Sequence, residues 1–395
     1  MSEKAEIKTK IRDVVEGQRE ELIRLSLNIH DNPELGLQEV KAQKWLCDYL
    51  LQNKLQVERG VGGLATAFRA IYGEGRPRIA LLAEYDALPQ MGHGCGHNVI
   101  AAAAAGAGVA SKIVVDDYGG SVVVLGSPAE EAFGGKIDMI GAGVFEDIDA
   151  VMMVHPDTQN VVAVSALACV SLDVKFWGKA AHAAASPEEG INALEALLLA
   201  FNAINSLRQH IRKDSRIHGI ITEGGMVPNV VPAYSSARFM LRATDIDYLD
   251  TLRNKVLACF EGASLSSGAR LQYGWGEKVY APMKSNYSLA CLFGNNLRLL
   301  GREIDDSSVK LNFGSTDMGN VSQIVPSIHP EVCIAPPEVS LHTPEFALAA
   351  ASEEGHEGLL DAAKAMAMTV ADILTQPEIL KRIKQDFADE KQFAK

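Results

Sequence analysis

The sequence predicts an α/β fold: a largely parallel sheet with helices on both of its faces, together with a smaller inserted α+β unit. Short apolar runs bounded by polar residues and prolines lie at 76–89, 121–131 and 149–156. Segments of helical pattern separate these runs, and strands that alternate with helices form parallel sheets covered on both faces. Between about 170 and 280 the pattern changes to alternating apolar and polar residues, which is typical of half-exposed strands.

The first half of the chain and its end supply the elements of the larger unit. Residues 5–30 show an amphipathic helical pattern that ends at DNPELG, and a second helix is predicted over 38–52. The run RPRIALLAEYDALP predicts a buried strand. An alanine-rich stretch after Asn98 predicts a helix whose small side chains allow close packing. A last helix is predicted over about 355–375.

A smaller unit interrupts the larger one. Its predicted elements are a strand at 170–177, a helix at about 188–211, strands near 217–222 and 234–243, a helix at about 245–262 and a strand at 269–280. This order, β-α-β-β-α-β, is that of the ferredoxin-like split unit. Because helix-rich sequence resumes at 285, we predict a discontinuous domain of residues 1–168 and 281–395 and an inserted domain of residues 169–280.

Composition excludes several classes of function. The chain has 395 residues and a net charge of −13, which argues against nucleic-acid binding because that needs clustered Lys and Arg. No run of about 18 apolar residues stands out, so we expect no membrane span. The charged N-terminal segment lacks the apolar core of a signal peptide. Six cysteines without paired spacing fit a reducing compartment, so a cytoplasmic location is predicted.

Potential metal ligands follow three predicted strands. Cys95 and His97 lie in the loop after the first strand, Glu130 and Glu131 lie just past the second, and His155 ends the third. Ligands of open α/β sheets bind beyond the carboxyl ends of the strands, so we expect these side chains to meet at one rim. Thiolate, imidazole and carboxylate are donors that Zn²⁺ and related ions accept, and a bridging carboxylate or thiolate would hold two ions.

The adjacent carboxylates Glu130 and Glu131 predict a division of labour. Neighbouring residues on an extended segment point in opposite directions, so one carboxylate can bind metal while the other handles a proton. A base beside a metal-activated water is what hydrolysis requires.

The alternative from another functional class is a non-catalytic metal-binding subunit whose active site has decayed. Decay would remove a ligand or the base, and all of these residues are present.

Six motifs carry a resemblance to a known family. They are DALP (86–89), GCGHN (94–98), SPAEE (127–131), MVHP (153–156), GKAAHAA (178–184) and PNVVP (228–232). With them the chain resembles the aminoacylase and carboxypeptidase-type family of dinuclear metallopeptidases, and within it the amidohydrolase branch that uses a cysteine ligand. The resemblance spans nearly the whole chain. It implies a metal-binding catalytic domain (1–168 and 281–395) and an inserted lid and dimerisation domain (169–280).

The resemblance also implies a metal site for two divalent ions, Zn²⁺ or Mn²⁺. Cys95 would bridge the ions, and a further histidine is expected from the C-terminal segment SLHTPEF, which supplies His342. The implied ligands are Cys95, His97, Glu131, His155 and His342.

Other residues receive supporting and substrate-binding roles from the same resemblance. Glu130 would be the general base, and Asp86 would orient a ligand as a neighbouring carboxylate. His182 would reach the developing oxyanion, often across a dimer interface. Asn229 would help to hold the substrate near the lid.

Three departures narrow the resemblance to a subgroup. Asn98 stands where the cysteine-ligand branch typically has the aspartate of CGHD, EYDALP replaces DMDALP, and GSTDMGNVS replaces an acidic-aromatic EDF segment. These variants resemble the aminobenzoyl-glutamate hydrolase subunits and the related β-alanyl-dipeptidases. In that subgroup Ser315, Thr316 and Asp317 would line the substrate pocket.

The expected reaction is hydrolysis of an amide that joins an acyl group to the amino group of an amino acid, with aminobenzoyl-glutamate-like conjugates as substrates. A dipeptidase that acts on β-alanyl or other small dipeptides is the alternative within the enzyme class. The resemblance implies a homodimer formed through the lid domain, and dependence on a second, different subunit stays open.

Overall fold

A computed structural model of the protein describes residues 3–305, 310–311 and 314–393. The chain divides into two units. Met1–Ser165, Met283–Asn312 and Thr316–Lys395 make up the larger unit, and Ala166–Pro282 with Phe313–Ser315 make up the smaller one.

The strands and helices alternate along much of the chain. The strands are β1 (Gln56–Arg59), β2 (Phe68–Glu74), β3 (Arg78–Glu84), β4 (Gly120–Ser127), β5 (Ala150–Met152), β6 (His155–Asp157), β7 (Val164–Ser165), β8 (Ala168–Trp177), β9 (Arg216–Glu223), β10 (Tyr234–Ala243), β11 (Arg270–Trp275), β12 (Lys310–Leu311), β13 (Ser327–Ile328) and β14 (Glu331–Cys333). The helices are α1 (Glu3–Gly17), α2 (Arg19–His30), α3 (Val40–Gln52), α4 (His97–Ala110), α5 (Lys112–Tyr118), α6 (Gly135–Gly141), α7 (Ala193–Leu207), α8 (Ile246–Ser267), α9 (Tyr287–Leu299), α10 (Met318–Ser322), α11 (Pro344–Ala349), α12 (Glu353–Thr375) and α13 (Pro377–Phe393). Short 3₁₀ helices lie at Val61–Gly63, Pro187–Glu189 and Arg208–His210.

The larger unit is built on a six-stranded sheet in the order β1-β2-β4-β3-β5-β13. β3 runs parallel to β4 and β5, and β13 runs parallel to β5. β1 and β2 form an antiparallel edge that the sequence analysis did not predict. β3 and β4 are buried along almost their whole length, as expected for strands covered on both faces. The sheet is therefore mixed, and the predicted α/β fold class is confirmed.

Some predicted elements differ from the observed ones for local reasons. The helical pattern over 5–30 is two helices, because α1 ends at Gly17 and Gln18 leaves helical geometry at φ −105° and ψ 5°. The helix predicted from 188 begins at Ala193, because the Asn192 side chain caps it by accepting from two backbone N–H groups. The last predicted strand of the smaller unit ends at Trp275 rather than at 280.

Helix α4 is the central helix of the larger unit, and every one of its residues is buried. It packs against β3 and α12, and its small residues permit this approach. A Cβ on Gly108 would lie 2.3 Å from Cγ2 of Val124 on β4. The segment His97–Tyr118 is apolar and long enough to cross a membrane, a run that the sequence analysis did not identify. Since 89% of its apolar window is buried inside the fold, it behaves as a core segment.

The smaller unit is a four-stranded antiparallel sheet in the order β11-β8-β10-β9, with α7 and α8 packed against it. Its element order, β8-α7-β9-β10-α8-β11, is the predicted β-α-β-β-α-β order. Along β8 the buried residues Leu172, Val174 and Phe176 alternate with exposed ones. A core of aromatic rings joins sheet and helices, with Phe239 packed edge-on against Phe260 at 5.3 Å between ring centroids.

An ion-pair cluster ties the N-terminal helices to α12. Glu16 lies beside Arg19, and its carboxylate accepts from Lys364 Nζ at 2.9 Å. Arg19 also pairs with Glu357 at 2.6 Å. Hydrogen bonds from Arg19 and Lys364 lower the pKa of Glu16 to about 2.

Candidate metal centre

The loop between β3 and α4 presents Cys95 and His97 at the carboxyl end of the sheet. Gly96, between them, adopts a left-handed conformation with φ +74° and ψ 25°. A Cβ at Gly96 would lie 2.5 Å from Cγ of Pro156. Only glycine therefore lets the loop pass this close to the segment that carries His155.

Two further site segments adopt the same unusual backbone conformation without glycine. Ala129, directly before Glu130, has φ +60°, and His342 has φ +60°. Left-handed backbone at such residues costs about 1–3 kcal/mol and persists only where the surroundings enforce it. The backbone N–H of His342 donates to the carbonyl of Gly94 at 2.8 Å. This bond fixes the C-terminal segment against the loop that holds Cys95.

The structure brings the five predicted ligands together. Cys95 Sγ lies 3.4 Å from His155 Nε2 and 3.3 Å from His342 Nε2. Glu131 Oε1 lies 3.8 Å from His97 Nε2 and 3.6 Å from His342 Nε2. The donor atoms of Cys95, His97 and His155 lie within 4.8 Å of one another, as do those of Cys95, Glu131 and His342. Cys95 belongs to both groups, and His97 and Glu131 each belong to a second group that includes Glu130.

The hydrogen bonding of these side chains fits a metal. His97 Nε2 and Glu131 Oε1 are buried and have no hydrogen-bond partner among the described residues, which is costly unless another group satisfies them. The second nitrogens of two histidines are fixed: His97 Nδ1 contacts Asp86 Oδ1 at 3.0 Å, and His155 Nδ1 contacts the carbonyl oxygen of Pro156 at 2.7 Å. Each Nε2 therefore faces the cluster, the usual arrangement of metal-binding histidines.

The Cys95 thiol needs a cation in order to ionise here. Burial and then the charge of Glu131 raise the pKa of Cys95 above its ordinary value, and His97 opposes this only in part. Metal coordination deprotonates a thiol outright. The chemistry of the donor set thus matches that of a thiolate–imidazole–carboxylate site for divalent ions.

Asp86 is buried behind the ligand cluster. Its Oδ1 pairs with His97, and its Oδ2 accepts the backbone N–H of Glu131 at 3.0 Å. Burial alone would raise the pKa of Asp86, but the charge of His97 and the hydrogen bond to it lower the pKa below its ordinary value. One ionised carboxylate thereby orients two of the five predicted ligands.

Glu130 lies at the edge of the same cluster. A donor atom of Glu130 lies within 4.8 Å of donor atoms of His97 and Glu131. Burial and the negative charges of Glu84, Glu131 and Asp317 raise the pKa of Glu130 well above its ordinary value. A carboxylate with a raised pKa is more basic, which suits it to accept a proton and pass it on.

A buried lysine that the sequence analysis missed lies beside Glu130. Lys136 Nζ donates to Glu84 and, at 2.5 Å, to Asp317 Oδ1, and its backbone N–H donates to Asp317 Oδ2 at 2.9 Å. Lys136 and Asp317 are fully buried. Burial would lower the pKa of Lys136, but the charges of Asp317, Glu84 and Glu130 raise it above its ordinary value. This placement of Asp317 favours a supporting role rather than the substrate contact that the sequence analysis predicted.

The other predicted substrate-binding residues are spread over both units. In the smaller unit, His182 Nδ1 accepts from the backbone N–H groups of Ala184 and Ala185, and the segments of His182 and Asn229 pair side by side. Ser315 Oγ accepts from Arg242 at 2.7 Å. In the larger unit, the Thr316 hydroxyl accepts the backbone N–H of Met318 at 3.2 Å and so closes a turn. The roles of these residues toward a substrate stay predictions.

A second residue missed from the sequence is His329. Its ring packs edge-on against that of His155, with 5.5 Å between centroids. Burial and the nearby charges of His155 and Lys136 lower the pKa of His329 well below its ordinary value. His329 stands in an Ile-His-Pro sequence similar to the Val-His-Pro that contains His155, a signal that the sequence analysis did not use, whereas the segment around Lys136 offers no such signal.

Comparisons with known proteins agree with this geometry. Residues 169–266 match the family model described as the M20 peptidase dimerisation domain. The chain is 37% identical to the Xaa-Arg dipeptidase of Homo sapiens, over 96% of this chain and 92% of that protein. It is 29% identical to one of the p-aminobenzoyl-glutamate hydrolase subunits of Escherichia coli (strain K12), over 95% of this chain and 94% of that protein. Among solved structures it is similar to a dinuclear metal-binding M20 peptidase of Bacillus subtilis, with a TM-score of 0.72 and 18% identity over 91% of this chain and 99% of that one.

Fold, ligand cluster and relatives together define a metal-dependent hydrolase of amide bonds. The chain belongs to the M20 peptidase family. The resemblance inferred from the sequence motifs and the predicted enzyme class are confirmed.

Proposed function

We propose that the protein is a dinuclear metal-dependent hydrolase that cleaves the amide bond of dipeptides or N-acyl amino acids and releases a free amino acid. The observation that carries this proposal is the position of Cys95, which belongs to two groups of potential ligands at once. Glu130 lies within the same few ångströms of His97 and Glu131. The arrangement supplies both a place for two ions and a base beside them.

The protein's own residues provide two three-donor sets for these ions. Cys95, His97 and His155 would hold one ion, and Cys95, Glu131 and His342 would hold the other. Two divalent ions in these sets supply Lewis acidity toward the scissile carbonyl and the attacking water. The mixed sulfur, nitrogen and oxygen donors fit Zn²⁺, and Mn²⁺ is the second candidate.

Glu130 is the proposed general base. It accepts a proton of the attacking water as the water oxygen bonds to the carbonyl carbon. It then delivers this proton to the amide nitrogen, and the C–N bond breaks to release the free amine and the carboxylic acid. Burial and the neighbouring carboxylates raise the pKa of Glu130, which supports this role, because a more basic carboxylate takes up the proton of the water more readily. Asp86 keeps His97 in one orientation and supports the Glu131 segment during the reaction.

Dipeptides with a basic C-terminal residue are the first proposed substrate class. The support is the 37% identity to the human Xaa-Arg dipeptidase over nearly the whole of both chains. The net charge of −13 also favours the approach of a cationic substrate. Aminobenzoyl-glutamate is the second proposed class, supported by the Escherichia coli hydrolase subunit at 29% identity over 95% of this chain.

We propose that residues 1–168 and 281–395 form the catalytic domain and that residues 169–280 form a lid through which two copies of the chain associate. The dimerisation-domain match supports this division. β9 is an edge strand of the smaller sheet, and its residue Ile220 is 64% exposed. Light scattering should show a dimer in the wild type, and a dimer undisturbed by Ile220→Glu would exclude this edge as the interface.

The lid also carries two proposed substrate contacts: His182 would stabilise the oxyanion, and Asn229 would hold the substrate. Ser315 and Thr316, which lie outside residues 169–280, are also proposed to line the substrate pocket. Six free cysteines within the described residues support a reducing, cytoplasmic location.

Whether one chain suffices for activity is decided by assaying the purified chain alone, because the Escherichia coli relative is one subunit of a hydrolase.

A substrate panel tests the proposed function. Purified protein is stripped of metal, reloaded separately with Zn²⁺ and Mn²⁺, and assayed for released amino acid with Xaa-Arg dipeptides, β-alanyl dipeptides, N-acyl amino acids and aminobenzoyl-glutamate. Turnover of one class that is lost on chelation supports the proposal. Two bound ions without turnover of any class would overturn it.

Glu130→Gln tests the assignment of the base. General bases contribute about 10²–10⁴-fold to the rate, so kcat should fall by this factor while both ions stay bound. Glu131→Gln is the matched control, since the same chemical change one residue along should remove a ligand and lower the metal content. An active Glu130→Gln enzyme would exclude Glu130 as the base.

A further inference from the structure

Three carboxylates meet beside the ligand cluster around a single buried ammonium group. Donor atoms of Glu84, Glu130 and Asp317 lie within 4.8 Å of one another. Lys136 Nζ donates to Glu84 and to Asp317, and it is fully buried. Burying an ion costs several kcal/mol unless partners offset the cost. A lysine in this place therefore needs a reason beyond packing.

The hydrogen bonds of Lys136 connect three separate parts of the larger unit. Glu84 ends β3, Lys136 lies in the first turn of α6, and Asp317 directly precedes α10. Asp317 is 181 residues away from Lys136 in sequence and binds it through both of its oxygens. Lys136 thus has a fixed position, five residues beyond Glu131.

Glu84 connects this group of charged side chains to the predicted metal ligands. Glu84 Oε2 lies 3.6 Å from His97 Nε2, so one carboxylate of Glu84 faces both Lys136 and a predicted ligand. Without a cation between them, Glu84, Glu130 and Asp317 would repel one another at these distances. The ammonium group bonds Glu84 and Asp317 directly, and its positive charge also acts on Glu130.

We propose that Lys136, held by Asp317, is a positioning residue that fixes the carboxylate of Glu130 toward the ligand cluster, and this rests on the proposed role of Glu130 as the base. Lys136 acts through Glu84 and Glu130 and touches neither the substrate nor the ions. The alternative is purely structural: Lys136 would only neutralise Asp317 and join α6 to α10.

Lys136→Met tests the proposal, because methionine has a similar length and no charge. We expect two bound ions, a KM within about threefold of the wild type and a kcat reduced by about 100-fold, which is the lower end of what a general base contributes. The double variant Lys136→Met with Asp317→Asn removes both partners, and kcat should stay low. A kcat near the wild-type value in either variant, or a change confined to KM, would show that the lysine is only structural.

Lys364→Met is the matched control, since Lys364 is also buried and paired with a carboxylate but lies outside the site. Its kcat should equal that of the wild type. If Lys136→Met does not fold, Asp317→Asn alone takes its place, because it loosens the ammonium group without removing it. We then expect a kcat lower by about tenfold at unchanged KM, less than the roughly 10²–10⁴-fold that loss of the base itself would cost, and an unchanged kcat would overturn the proposal.

Crystal structures separate this proposal from the proposed function. A wild type that is silent across the substrate panel would overturn the proposed function alone. In that case the position of the Glu130 carboxylate in Lys136→Met or Asp317→Asn decides the question. A displaced carboxylate with the ligand side chains in place supports the positioning role, and an unmoved carboxylate refutes it.

Discussion

The glycine between Cys95 and His97 lies at a point where the backbone of the site leaves no room for a side chain. Gly96 has φ +74° and ψ 25°, and a Cβ there would lie 2.5 Å from Cγ of Pro156. Gly96→Ala therefore introduces two separate costs. The first is the left-handed backbone of a residue with a Cβ, and the second is the contact with the proline ring.

Both costs can be given a magnitude. The left-handed conformation costs about 1–2 kcal/mol for a residue with a Cβ. Relief of the contact needs a shift of Pro156, and overpacking of this kind costs about 1–3 kcal/mol. Together they predict a loss of about 2–5 kcal/mol in the free energy of unfolding. The carbonyl of Pro156 also accepts from His155 Nδ1 at 2.7 Å, so metal affinity should fall by about tenfold or more.

Gly60 provides a matched control within the same unit. It has φ +75° and ψ 25°, nearly the same conformation as Gly96, and a Cβ there would meet nothing within 4 Å. Gly60→Ala should cost only the backbone component of about 1–2 kcal/mol and leave metal binding unchanged. The difference between the two variants isolates the contact with Pro156.

Urea unfolding of the metal-free proteins measures the stability of both variants, and titration with Zn²⁺ or Mn²⁺ measures their affinity. Equal losses of stability in Gly96→Ala and Gly60→Ala would refute the steric part of the reasoning. Unchanged metal affinity in Gly96→Ala would refute the link from Pro156 to His155.

Three further predictions concern the ligands, their support and the pH dependence of stability. Cys95→Ala should reduce the metal content measured by mass spectrometry to one ion or fewer, whereas Cys47→Ala, at another buried cysteine, should leave it unchanged. Asp86→Asn should weaken metal binding by about 10–100-fold, because an amide cannot accept both hydrogen bonds that the carboxylate accepts; unaltered affinity in a competition titration would contradict this. Glu16, whose folded pKa is about 2, contributes stability above its unfolded pKa of 4.5 and loses it as the pH falls from 4.5 to 2. Since the Glu16 side chain is 46% exposed, Glu16→Gln should lower the free energy of unfolding by about 1 kcal/mol at pH 7 and leave it unchanged near pH 2. A similar loss in Glu20→Gln, at an exposed glutamate, would show that the ion-pair cluster is not the source of the effect.

Much of the larger unit was predictable because its signals are local. The apolar runs that become β3 and β4 are bounded by polar residues, and strand order alone placed Cys95, His97 and His155 at one edge of the sheet. His342 was different, since it lies in a loop far along the chain and only the resemblance to a family indicated it. The hairpin of β1 and β2 was missed, because its short strands carry a burial pattern without clear alternation.

The buried ion pair shows what a pattern of residues cannot predict. Only the resemblance to a subgroup gave Asp317 a role in the substrate pocket, and Lys136 resembles any surface lysine of a helix. Their pairing depends on a contact across 181 positions of the chain. Contacts of this kind are set by how the elements pack, and no local periodicity encodes them. The same holds for His329, which lies against His155 through the packing of separate segments.

The apolar segment His97–Tyr118 affects how the chain behaves before it folds and after it unfolds. It has the length and composition of a membrane-spanning helix, and the native protein hides nearly all of it between β3 and α12. During synthesis, or after unfolding, this segment is exposed to other chains and to chaperones that bind apolar sequence. A predicted metal ligand, His97, is its first residue. Aggregation of the unfolded chain should therefore begin at this segment, and the speed with which the larger unit closes around it should limit the yield of refolding.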